Sequence, residues 1–93
     1  MRIVFLESAA QDIAWFRFYH RAVFPEGARR ATLQLKATQT ALAANPYIGH
    51  PAEAGLPVRE LSLPKTPFIL VYRVTTAQIE VLRLWDSRKG GGY

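Results

Sequence analysis

The side chains with which this 93-residue chain could do chemistry are two histidines, a few carboxylates and a set of cations dominated by arginine. His20 and His50 are too far apart in sequence to make an H-x-x-x-H ligand pair, and there is no cysteine, so metal binding has no ligand set to start from. Glu7 with Asp12, and Glu53 with Glu60, have no spacing that compels a paired-carboxylate site. A Gly-rich phosphate loop, a nucleophile elbow and zinc-finger spacing are all missing. His20 falls inside an apolar helical stripe and reads as a packing or helix-contact residue. His50, between Gly49 and Pro51, reads as an exposed loop residue. No catalytic residue, metal or cofactor is assigned. What remains is a chemistry of attraction, carried by Arg59, Arg73, Arg83, Arg88 and Lys89 with Trp85 among them.

The charge balance agrees. A formal net charge of +5 suits a nucleic acid, a ribosome or an acidic protein as partner. The cations are scattered along the chain, so any electropositive patch must be assembled by folding. The apolar fraction of 49% is high for so small a domain, and part of that surface is expected to wait for a partner. After Arg2 the apolar stretch Ile3 to Leu6 is cut short by Glu7, well under the roughly 7–15 residues of a signal h-region. The run Phe68 to Tyr72 falls far below the roughly 20 residues that span a bilayer. A soluble cytoplasmic protein is expected, with no membrane association.

Stepwise along the chain, Arg2 to Leu6 reads as a short strand. Ser8 with Gln11 three residues on gives a capping-box helix start. Ile13, Phe16, His20 and Val23 then recur at spacings of three and four as one stripe, broadened by Trp15, Phe18 and Ala22, until Pro25-Glu26-Gly27 breaks the helix. A second helix is predicted from Ala28 to Ala44, with Ala31, Leu35, Thr38 and Leu42 on one face. Asn45-Pro46 ends it, with Asn45 able to take the left-handed position. Tyr47 to Pro57 reads as a loop. Val58 to Leu63, Phe68 to Val74 and Gln78 to Trp85 read as strands of an antiparallel meander. In the last of these Ile79, Val81, Arg83 and Trp85 share one face and Glu80, Leu82, Leu84 and Asp86 the other, and neither is cleanly apolar. The expected architecture is α+β in the order β-α-α-β-β-β, a helical hairpin packed on a mainly antiparallel sheet. Residues 1–89 are expected to form a single domain, followed by a flexible tail at 90–93.

Several of these segments, in this order, resemble the ParE branch of the ParE/RelE toxin superfamily. They are the Ser8-Ala9-Ala10-Gln11-Asp12-Ile13 opening, Asn45-Pro46-Tyr47-Ile48-Gly49, Val58-Arg59-Glu60-Leu61, Phe68-Ile69-Leu70-Val71-Tyr72-Arg73-Val74 and Ile79-Glu80-Val81-Leu82-Arg83-Leu84. The resemblance implies the RelE/ParE-like fold and a type II toxin–antitoxin module of the plasmid-stabilisation kind. In the ParE branch it implies inhibition of DNA gyrase; in the RelE branch, cleavage of messenger RNA on the ribosome. Cleaving RNA without a metal needs groups to activate a hydroxyl, bind phosphate and protonate the leaving oxygen. Where RelE-like nucleases carry lysines and an arginine, this chain has Glu60, Ser62 and Ile69. ParE-like chains often carry a histidine where Asp86 stands, ahead of the basic Arg88 and Lys89.

The favoured expectation is therefore a non-enzymatic gyrase inhibitor that contacts its target through Arg59, Arg73, Arg83, Trp85, Arg88 and Lys89. Arg59 reads equally as a structural arginine, and Trp85 as core. The partner expected is a cognate acidic ParD-like antitoxin in a hetero-oligomer, bound along the hairpin with Trp15, Phe18 and Tyr19 in contact. Those aromatics read equally as core. Sequence-specific DNA binding by this chain alone is not expected. A ribosome-dependent nuclease and a non-toxic relic that keeps its antitoxin are the alternatives.

Overall fold

The apolar run at Phe68–Val74 and the strand after it, Ile79–Asp86, form the longest pairing in the molecule, β4 with β5, and the rest of the chain is laid against them. A computed structural model of the chain describes residues 1–52 and 57–89. The expected mobile tail at 90–93, and Glu53, lie outside the described residues.

Three-residue β1 (Ile3–Phe5) runs parallel to β5, Ile3 opposite Ile79 and Phe5 opposite Val81. On the other side β4 pairs antiparallel with β3 (Arg59–Ser62), and β3 with a two-residue strand β2 (His50–Pro51). The five-stranded sheet has the order β1-β5-β4-β3-β2. β2 arises inside the segment expected to be a loop. Its Gly-His-Pro composition hides it, because Gly and Pro ordinarily punctuate strands. Gly49, just before it, is fixed by close approach: a Cβ there would lie 2.6 Å from the Glu60 carbonyl oxygen and 2.7 Å from the Tyr72 hydroxyl. That hydroxyl accepts the Gly49 N–H at 3.0 Å and donates to the Pro46 carbonyl at 2.9 Å, tying the loop to the middle of the sheet.

The ambiguous alternation of the last strand is resolved by a β-bulge. Tyr72 is opposite Val81 but Val71 is opposite Arg83, which leaves Leu82 as the extra residue. The buried face of β5 accordingly passes from Ile79 and Val81 to Leu84 and Asp86, while Phe68, Leu70 and Tyr72 of β4 stay in phase opposite them. This is the face the helices cover.

Helix α1 (Ala10–Phe18) follows a 3-10 turn at Glu7–Ala9 and runs on as a π-helical turn, Tyr19–Val23. The capping box does not form. The Ser8 hydroxyl donates instead to the Leu82 carbonyl at 2.7 Å, and neither helical start has a side-chain cap. The reason lies in β5: beyond the end of β1 its edge carries free backbone groups, and these take the hydroxyl. The stripe on α1 also ends early. Phe16 and His20 are buried, but Val23 is 55% exposed, because the wider π turn rotates it off the core face.

A short 3-10 turn at Pro25–Gly27 leads into α2 (Ala28–Ala44), whose bounds match the expectation. Ala31, Thr38 and Leu42 are buried and Leu35 packs against the core. Asn45 ends it at φ −141°, ψ 86°, not in the left-handed region, since Pro46 pushes the residue before it toward extended backbone. Apolar side chains remain exposed in two places. Phe18, Phe24 and Leu33 are 43%, 45% and 56% exposed around the turn between the helices, and Tyr47 and Ile48 stand out beyond α2.

Candidate functional site

The chain leaves β5 at Asp86, and the short segment after it folds back onto α1. Asp86 belongs to the inward face and is 3% exposed. Its carboxylate accepts the Trp15 indole N–H at 2.9 Å. It also accepts Arg88 Nη2 at 2.7 Å, Arg88 Nε at 2.9 Å and the Arg88 backbone N–H at 3.0 Å. With the bidentate fork of Arg88 on one side and the indole on the other, both oxygens are engaged. The Arg88 hydrogen bonds hold the Asp86 carboxyl down to about 2, against the opposing effect of burial. The carboxylate in turn raises the Arg88 guanidinium above its ordinary value.

Arg88 makes a second attachment. Nη1 donates to the Tyr19 hydroxyl at 2.6 Å, and Cζ lies 4.2 Å from the centre of the Tyr19 ring. Lys89 donates its backbone N–H to the Asp86 carbonyl at 3.0 Å and holds Nζ 4.4 Å from the Trp15 ring centre. Trp15 and Tyr19 are one helical turn apart, with ring centres separated by 5.9 Å. Phe18 lies 5.8 Å from Trp15 on the exposed side, with the Arg21 guanidinium 5.8 Å over its own ring. The result is a clasp of alternating cations and aromatic faces. Trp15 and Tyr19, expected to meet one partner, and Arg88 and Lys89, expected to meet another, form one continuous surface.

Arg83 and Trp85 occupy the opposite face of β5. Arg83 Cζ lies 5.0 Å over the Trp85 ring, so their shared face is as expected. The Arg83 fork is engaged, however: Nε and Nη2 donate to Asp12 at 2.6 and 3.0 Å, and this pairing raises the Arg83 guanidinium. Asp12 also accepts the Leu84 backbone N–H at 3.0 Å, completing at a second point the edge cover that Ser8 begins. Asp12 and Trp15, three residues apart on α1, thus both grip the final part of β5.

Arg73 lies at the other end of the β4–β5 pairing, with Nε 2.7 Å from Glu80. Hydrogen bonds from Gln78 and then Arg73 lower the Glu80 carboxyl. Arg59 is placed on β3, where Nη1 donates to the Gly49 carbonyl at 2.6 Å and the guanidinium lies 5.0 Å over the Tyr47 ring. Its attachments pin the segment after α2. Tyr72, beside it, has its hydroxyl pushed up by burial. Of the residues singled out by sequence, the structure therefore gathers Trp15, Tyr19, Arg88 and Lys89, sets Arg83 and Trp85 on the adjoining outer face, and leaves Arg73 and Arg59 apart.

His20 is buried among Phe16, Tyr19 and Phe68, with Nδ1 2.8 Å from the Phe16 carbonyl oxygen, consistent with packing. His50 is exposed on β2, 3.8 Å from Glu60. Ser62 is exposed, and Ile69 pairs with Trp85. Sequence reasoning missed Asp86 and Asp12 as organisers. The available signal was the Asp86-x-Arg88 spacing, which lets a carboxylate at a strand end meet a guanidinium two residues on. Beyond Tyr19 a cleft of about 580 Å³ opens between the helical turn and the β3–β4 connection, lined among others by Phe24, Arg30 and Lys65. Among the described residues no helix is long and apolar enough to cross a membrane.

Comparison with known proteins gives this surface a context. A family model described as the ParE toxin of the type II toxin–antitoxin system parDE matches residues 3–90. A solved structure of the chromosomal ParDE toxin–antitoxin system from P. aeruginosa superimposes with a TM-score of 0.67 at 31% identity, covering 90% of this chain and 92% of that one. Comparison with curated proteins returned no significant match. The matched span takes in the whole sheet, both helices and the clasp, and on that ground the chain belongs to the ParE toxin family of type II toxin–antitoxin systems.

Proposed function

We propose that the protein, acting in the cytoplasm as a single domain of residues 1–89, inhibits DNA gyrase by binding it and is silenced by an acidic ParD-like antitoxin. The observation that carries this reading is the clasp, in which aromatic faces and cations alternate around the buried Asp86 carboxylate. Such surfaces supply large apolar contact and steered electrostatics at once, the chemistry of an interaction hot spot. Arg88 and Lys89, with Trp85 and Arg83 on the adjoining face, are the proposed target contacts, and Arg73 and Arg59 are more distant members of the same set. Trp15, Phe18 and Tyr19 are proposed to meet the antitoxin. The ParDE assignment of the similar structure supports an antitoxin partner. The net charge of +5 and the exposed apolar side chains around the helical turn favour an acidic segment that folds as it wraps.

The nuclease alternative draws less support. Glu60, Ser62 and Ile69 offer no cation on the middle strands, and Arg59, Arg73, Arg83 and Arg88 are each engaged by a carboxylate or a carbonyl. The deciding measurement is DNA supercoiling by purified gyrase with increasing toxin, with and without antitoxin, beside a translation reaction. Loss of supercoiling that antitoxin restores is the expected result. Cleaved transcripts in translating ribosomes with gyrase unaffected would replace the gyrase reading with the nuclease one, and no effect on either would mark a relic.

A further inference from the structure

Neither target binding nor antitoxin binding gives the buried Asp86 carboxylate a task. Its surroundings do. Arg88 and Lys89 lie just past the last strand, and long cationic side chains in such a segment carry rotamer entropy that binding would have to remove. Asp86 is buried and anchored to α1 through the Trp15 indole, so it is fixed relative to the helix. It takes both the fork and the backbone N–H of Arg88, and its own carbonyl takes the N–H of Lys89. Tyr19 then completes the placement of the guanidinium, and the Trp15 ring that of the Lys89 ammonium.

We propose that Asp86 is a positioning residue for the basic end of the toxin: acting through Arg88, it presents the guanidinium and the neighbouring ammonium to the target already in place. This rests on the reading of Arg88 and Lys89 as target contacts. Under it the Asp86 carboxylate touches no target atom, and its effect on inhibition passes entirely through the fork.

The test is a double-mutant cycle. Growth arrest on induction at matched protein level, supercoiling inhibition and Tm are measured for wild type, Asp86→Asn, Arg88→Ala, the double variant and Arg88→Lys. Asp86→Asn keeps the side-chain shape and an acceptor for the indole. Arg88→Lys keeps the charge and loses the fork. Asp86→Asn and Arg88→Lys are each expected to weaken inhibition about tenfold, as when a charge-assisted bidentate pair stops holding a contact residue. The double variant is expected to be no weaker than Arg88→Ala alone, a nesting that a general loss of stability would not produce. Wild-type potency in Asp86→Asn or in Arg88→Lys would overturn the proposal, as would losses that multiply in the double variant. Should Asp86→Asn fail to fold, Arg88→Lys and Tyr19→Phe decide the matter, since Tyr19→Phe removes the second attachment of Arg88 and leaves Asp86 intact. Wild-type potency in either overturns it. A wild type that arrests growth without affecting gyrase removes only the target reading, and the cycle is then scored on growth. A wild type that does neither removes both.

Discussion

Asp86 joins a strand end to a helix, and its ionisation should be visible in stability. The Arg88 hydrogen bonds hold the folded-state carboxyl down to about 2, below the roughly 3.9 of an unfolded aspartate. The ionised carboxylate's contribution is therefore complete above about pH 5, where both states are ionised, and is lost progressively as pH falls through 4 toward 2. The difference is worth roughly 2 kcal/mol. Urea unfolding at several pH values should show the gap between wild type and Asp86→Asn narrowing by about that amount between about pH 5 and pH 2. A gap independent of pH would mean the pairing adds nothing to folding. Gly49 is sensitive for a steric reason. With the Glu60 carbonyl and the Tyr72 hydroxyl both inside contact distance of a Cβ, Gly49→Ala must displace backbone or break the Tyr72 bonds. A loss of about 2 kcal/mol or more is expected in denaturant unfolding.

The elements were legible where one physical cause governed them. The run Ala28–Ala44 is made mostly of good helix formers and is bounded by Gly27 and Asn45-Pro46, so composition alone set its limits. Phe68–Val74 likewise stood out as an apolar β-forming run. The elements that misled are those where a tertiary partner competes with the local rule. Ser8 reads as a helix cap, but the open edge of β5 takes its hydroxyl. Ile79–Asp86 reads as a strand with two mixed faces, because a bulge at Leu82 is a property of the pairing and not of either strand alone. Asp12 acts on Arg83, 71 positions distant, and Asp86 is fixed to α1 through Trp15, equally far away, so only its spacing to Arg88 was local. The cover over the β5 edge can be tested directly. Asp12→Ala would leave the Leu84 N–H without its acceptor and Arg83 without its pair, costing roughly 2–3 kcal/mol. Amide exchange at Leu84 should accelerate more than at Leu70, in the middle of the sheet. Equal protection at Leu84 in both proteins would show that the edge needs no such cover.

At the scale of the whole molecule, a net charge of +5 and apolar side chains left exposed around the helical turn describe a surface suited to a charged, pliable partner. Association with the antitoxin should then slow as salt rises from about 50 to about 500 mM, while dissociation, governed by the apolar contacts, changes far less. Stopped-flow measurement of both rates checks this, and an association rate indifferent to salt would count against electrostatic steering. The pairing of β1 with β5 carries a further consequence, one of timing. The opening strand has no neighbour until the closing strand has been synthesised, and the start of α1 has no edge to cover before then. β1 and the start of α1 must therefore wait, incompletely folded, for β5, a long-range dependence that makes folding slow. The shape that carries the clasp is thus completed only when β5 docks, whatever has folded before it.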